Sequence, residues 1–136
     1  GLMVDNMVAA GIDPDDVDLV LVTHLHPDHC YGLVGEGNAP VFKNARVGCT
    51  RLEWDYWTDV KKLELDDFRA KWVEGTIACL APYRDRIVFV DEAREIVPGA
   101  RAKITPGHSV GHSVYVFESG GSSLMSLWDC THHAVH

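Results

Sequence analysis

The chain has 136 residues, an apolar content of 46% and a formal charge of -8 with its eight histidines neutral. That composition belongs to a single small globular domain over residues 1–136 and excludes a polar disordered chain. The acidity argues against an electrostatic nucleic-acid binder, which carries a basic face.

Residues 2 to 11, LMVDNMVAAG, place apolar side chains at helical spacing and end on a glycine, a common helix stop. IDPDD follows as a turn with helix-start residues. DLVLVT is a short, nearly continuous apolar run, as expected of a strand buried on both faces. The loop after it reads HLHPDHC, and Asp28 starts a short helix through Leu33. APVFKNARVGCT predicts two short strands with a turn at Lys43 and Asn44. From Arg51 to about Leu80 the pattern is helical, with aromatics at three- and four-residue spacing. RIVFV and ARAKIT are strands. HSVYVFES alternates strictly, and SLMSLWD is a last strand ending on Asp129. The order of elements is mixed α/β.

The informative stretch is His24, His26, Asp28 and His29. Each neutral imidazole offers one nitrogen lone pair, and aspartate offers a carboxylate. Divalent metals such as zinc take such groups, usually four per ion. The other polar candidates also follow predicted strands: His108 in TPGH after AKI, and Asp129 after SLMSL. That is the pattern expected if strand ends of one sheet edge converge on a shared metal site, where open α/β sheets usually place chemistry.

Cys30, Cys49, Cys79 and Cys130 form no CxxC pair. Reduced, mostly buried thiols in a cytoplasmic setting are expected, with a minor chance of ligation for Cys30 and Cys130, each beside a candidate ligand. No apolar run approaches the ~20 residues of a transmembrane helix, and the start of the chain carries no signal-peptide pattern. No membrane or nucleic-acid partner is expected.

THLHPDH, TPGHSVGHS and the strand ending in Asp129 together resemble the metallo-β-lactamase superfamily of hydrolases. VFKNARV, EWDYW, LAPYRDRI, IVPGARA, GHSVGHSVYVFESGG and DCTHHAVH resemble its methyl parathion hydrolase branch. The resemblance implies a partial αβ/βα sandwich of the metallo-β-lactamase type: a mixed sheet with flanking helices, lacking N-terminal strands and the C-terminal segment. It assigns His24, His26 and His108 to a first metal, Asp28 and His29 to a second, and Asp129 to both. Two zinc ions are implied, with manganese, cobalt or iron as alternatives, and a hydroxide held between them as nucleophile. Asp28 then also orients that hydroxide. His112 is a supporting residue, with direct ligation as the alternative.

Trp128-Asp129 stands where the family has Gly-Asp. The family's further histidine ligand lies past the bridging aspartate, a role open here to His132, His133 or His136. Trp57 is the candidate wall of an apolar substrate pocket, against a reading of the aromatics as core, and Trp128 either crowds the site or lines that pocket. The expected function is metal-dependent hydrolysis of a small-molecule ester, lactone or phosphotriester. The alternative is a truncated, weakly active or inactive metal-binding fragment. An exposed sheet edge predicts a homo-oligomer, by strand exchange.

Overall fold

A computed structural model of the chain describes residues 2–64 and 67–130. Helix α1 (Met3–Ala9) leads into β1 (Leu19–Leu21), the short helix α2 (Pro27–Cys30), and β2 (Arg46–Thr50). Helices α3 (Arg51–Trp57) and α4 (Phe68–Leu80) then precede β3 (Ile87–Val90). Four more strands complete the described chain: β4 (Glu95–Val97), β5 (Ala100–Ile104), β6 (Ser113–Ser119) and β7 (Ser122–Ser126).

Strands β1, β2 and β3 form a parallel sheet in that order, and β4 to β7 form an antiparallel sheet in that order. The parallel strands are separated in sequence by helices, the connection parallel pairing requires. Tight turns join β4 to β5 and β6 to β7, the second on Gly120-Gly121, while the longer loop 105–112 joins β5 to β6. The two sheets are stitched where the site forms. The Ser113 amide donates to the Thr23 carbonyl at 2.9 Å, and the Tyr115 hydroxyl donates to the Val22 carbonyl at 2.9 Å.

The core fills the space between β1–β2 and helices α2 to α4, with Leu25, Leu33, Val47, Trp57, Val73, Leu80 and Tyr83 all buried. Helix α4 carries Gly75 where Tyr31 presses closest, and any Cβ there would collide with the phenol. The Tyr31 hydroxyl donates to the Trp72 carbonyl at 3.5 Å on the same helix. A helical glycine is a cost that this close approach explains.

Several elements depart from the sequence expectation. APVFK forms no strand. Pro40 has no N–H to pair, the Val41 amide donates to the Leu33 carbonyl at 2.9 Å, and the Phe42 amide donates to the Tyr83 hydroxyl at 3.1 Å. Strand β1 is only partly buried, because it is the edge of its sheet, and full burial begins at Val22. The short β4 was not expected. Strand β7 starts at Ser122 and stops at Ser126, so Leu127, Trp128 and Asp129 leave the sheet. As the outer strand of its sheet, β7 exposes Leu124 and Met125. No helix among the described residues is long and apolar enough to cross a membrane.

Candidate metal centre

Three chain segments meet above the junction of the two sheets. The loop after β1, running into α2, supplies His24, His26 and His29, the loop after β5 supplies His108, and the turn after β7 supplies Asp129. The Nε2 atom of His108 lies 3.1 Å from His24 Nε2 and 3.1 Å from His26 Nδ1. Asp129 Oδ2 lies 2.9 Å from His29 Nε2, 3.3 Å from His108 Nε2 and 3.6 Å from His24 Nε2. Two donor groups result, His24–His26–His108 and His24–His29–Asp129, which share His24.

That donor set fits a divalent metal. Ligand bonds of about 2.0–2.1 Å in a tetrahedron set ligand edges near 3.3 Å, close to the spacing of these nitrogens. Burial holds two of the donors, His24 and His26, in the neutral form a metal needs. His24 is fully buried, and its pKa is pushed down to about 2, first by burial and then by the surrounding His29, His26 and His108. Burial, then His108, lowers His26, against the opposing pull of Glu53 and Asp28. A cation can take the nitrogen lone pairs that converge here, and its binding then couples to folding.

Hydrogen bonds behind the ligands set their orientation. His24 Nδ1 sits 3.1 Å from the Thr23 hydroxyl, which leaves Nε2 to the site. His112 is fully buried, with Nδ1 2.8 Å from the Thr105 hydroxyl and with Nε2 making no hydrogen bond. Its ring centroid is 5.1 Å from that of His24, and it belongs to neither donor group. Burial and then His108 lower its pKa too.

Asp28 is placed differently from the other candidates. Its side chain is 80% exposed and reaches only to 3.7 Å from His29 Nε2, outside both donor groups. Cys30 is buried away from the donors, its thiol donating to the Leu25 carbonyl, and the exposed Cys130 thiol meets Thr105. His132, His133 and His136 lie outside the described residues.

A cavity of about 190 Å³ opens beside His26 and His108, lined also by Tyr56, Trp57, Gly107, Ser109 and Val110. Trp57 itself is 4% exposed, so most of its indole is core and one edge faces the cavity. Trp72 also packs on the His26 ring, at 5.1 Å between centroids. Trp128 is exposed, with its ring 5.9 Å from that of His29.

Supporting side chains absent from the sequence reading are Thr23, Glu53, Thr105 and Ser109. Glu53 is fully buried beside the site. The one sequence signal for it is TRLE at residues 50–53, which reads as a helix cap.

A junction of two sheets flanked by helices, with a His/Asp donor cluster at the strand ends, defines an αβ/βα fold with a candidate metal centre. The profile of the Metallo-beta-lactamase superfamily matches residues 1–125, and the chain belongs to that superfamily. An N-acyl homoserine lactonase of Bacillus cereus is 28% identical over 118 residues, covering 86% of this chain and 39% of the relative. Among solved structures, the hydrolase AbOPH of the β-lactamase superfamily superposes with a TM-score of 0.86 at 31% identity, over 97% of this chain and 47% of its own. AidC, a dizinc quorum-quenching lactonase solved with a product, gives 0.81 at 26% identity, over 92% and 45%. The chain thus spans less than half the length of these relatives. A divalent-metal site is supported by both the donor geometry and the dizinc neighbour.

Proposed function

We propose that the chain carries the dinuclear metal centre of a hydrolase acting on a small lactone, ester or phosphotriester. The convergence of His24, His26 and His108 at 3.1 Å, with Asp129 against both His29 and His24, carries this reading. In it His24, His26 and His108 hold one ion, and His29 and Asp28 hold the other. Asp129 serves both, because its Oδ2 stands between the two donor groups. Zinc is the first expectation, with manganese, cobalt and iron as the alternatives a His/Asp set accepts. When bound, divalent ions supply Lewis acidity toward water and toward the oxygen of the bond to be cut.

The chain's own groups do the rest. Asp28, exposed and free to turn inward beside His29, accepts a hydrogen bond from the attacking water and orients it. The edges of Trp57 and Tyr56 give the cavity an apolar wall for the acyl part of a substrate. Trp128 forms an outer rim next to His29. Lactones lead the substrate list because the curated relatives are lactonases. Association with a second copy along the exposed apolar edge of β7 belongs to the same reading, as does a cytoplasmic setting for the buried thiols.

The test is turnover by the metal-loaded full chain of an N-acyl homoserine lactone, an aryl ester and an aryl phosphotriester, against His26→Ala. Turnover that needs both metal and His26 supports the reading. Two bound metals per chain with no turnover of any of the three leaves the inactive metal-binding fragment in its place. Light scattering reads the association, and a clean monomer removes that part.

A further inference from the structure

We propose that Glu53 is the positioning residue of this centre: its buried carboxylate ties the His24–His26 segment to the His108 loop. The inference rests on the metal-centre reading above.

In a capping box the glutamate at the third helical position turns back to the cap amide. Thr50 does cap α3, accepting from the Glu53 amide at 3.2 Å. The Glu53 side chain goes elsewhere. Its Oε2 accepts from the Leu25 amide at 2.9 Å. Its Oε1 accepts from the Gly111 amide at 2.7 Å and from the Ser109 hydroxyl at 2.5 Å. Leu25 is the residue between His24 and His26, Ser109 follows His108, and Gly111 precedes His112. One carboxylate therefore holds both ligand-bearing loops, at the residues next to His24, His26 and His108 and again at Gly111.

The rest of α3 sharpens the grip. Trp57 donates from Nε1 to the Ser109 hydroxyl oxygen at 3.2 Å, which turns the Ser109 proton toward Glu53. The Thr50 hydroxyl donates to the Gly111 carbonyl at 2.8 Å, so one helical turn clasps both ends of that residue. Gly111 has no room for a Cβ, which would strike Thr50 and the Glu53 amide.

Charge points the same way. Glu53 is fully buried, and no ion pair among the described residues includes it. Burying a carboxylate without a cation is costly even when its lone pairs are satisfied. A role in packing alone is met without charge. Its hydrogen-bond partners flank the ligand histidines, so a cation held there would be its counter-charge. Groups behind metal ligands orient them in this way, and losing one costs about 10–100-fold in metal affinity.

The experiment compares wild type with Glu53→Gln in the full chain, by two readouts. The first is hydrogen exchange at the Leu25 and Gly111 amides in metal-free protein, followed by NMR. The second is Co²⁺ affinity by chelator competition, with the visible absorption of the bound ion. A glutamine keeps the shape but accepts at one oxygen only and points an NH₂ at amide donors. In Glu53→Gln, exchange should rise at one or both amides, Co²⁺ affinity should fall about 10–100-fold, and the visible bands should shift. Wild-type affinity and spectrum with only a lower melting temperature would overturn the proposal and leave Glu53 a packing residue. If Glu53→Gln does not fold, Ser109→Ala removes one of the three donors and decides. Several-fold weaker Co²⁺ binding in it supports the tie, and unchanged binding overturns it. If wild type itself takes up no Co²⁺, the metal-centre reading falls separately. The amide exchange then decides the tie alone, and unchanged exchange in the variant overturns it.

Discussion

The Nε2 atoms of His24 and His108 lie 3.1 Å apart, and His26 Nδ1 is equally near His108. A cation that joins these nitrogens binds the folded chain and not the unfolded one, so it stabilises the fold. Chelation should therefore lower the melting temperature and zinc should restore it. Zinc at 100 times its dissociation constant stabilises by about 2.7 kcal/mol, or roughly 10 °C for a chain of this size. His108→Ala removes a member of the cluster without opening the core, since His108 is partly exposed. Its metal-free stability should stay within about 1 kcal/mol of wild type while the zinc-induced rise in melting temperature disappears. Scanning fluorimetry with and without zinc reads both, and a variant that keeps the full zinc response sinks the assignment of His108.

The same imidazoles give the metal-free protein an acid dependence. His24 is held down to about 2 by burial first, and His26 and His112 are lowered for the same leading cause. Unfolded histidines titrate near 6.5. Between those limits the unfolded chain binds protons that the folded chain refuses, so stability is full above pH 6.5 and is lost as pH falls toward 2. Each strongly lowered histidine adds a slope of at most about 1.4 kcal/mol per pH unit in that window. Melting temperatures measured in chelator should thus fall from pH 7.5 to pH 5.5, and a flat profile would contradict the burial of these rings.

His24, His26 and His29 were legible because one loop carries them all, and His108 and Asp129 because each follows a recognisable strand. Glu53 was hidden for the opposite reason. Its partners lie 28, 56 and 58 residues away, and its local pattern reads as an ordinary helix cap. The missing strand at residues 39–43 has a similar source, since its amides are taken by Leu33 and by Tyr83, a tertiary contact no local window contains. Asp28 was legible as a member of the motif, but its outward side chain is set by a rotamer that spacing does not encode.

Trp57 tests how much of the aromatic cluster is core. Its indole is almost wholly buried, packs on the His26 ring at 5.1 Å and bonds Ser109. Trp57→Ala should cost about 3–5 kcal/mol, the usual loss for a large buried aromatic. Trp57→Phe keeps most of the bulk and loses the N–H bond, at about 1 kcal/mol. Urea denaturation should separate the two variants on that scale. A Trp57→Ala protein as stable as wild type, with KM for an acyl lactone raised instead, would move Trp57 from the core to the substrate wall.

Trp128 sits at φ +44°, a left-handed conformation in a bulky residue next to Asp129. Such a backbone costs a non-glycine residue about 1–2 kcal/mol. The side chain is 59% exposed, so packing returns little of that cost. Asparagine tolerates the conformation without the extra chain entropy of glycine. Trp128→Asn should therefore raise the metal-free stability by about 1 kcal/mol, or roughly 4 °C. Trp128→Gly should lie closer to wild type, because its unfolded chain gains freedom. Strain of this kind persists where a site uses it. The exposed indole beside His29 is the group the site would lose, so KM for an apolar lactone should rise in Trp128→Asn as the melting point climbs. A fall in stability beyond about 1 kcal/mol would show instead that the indole packs for the fold, and the strained turn would then need no functional account.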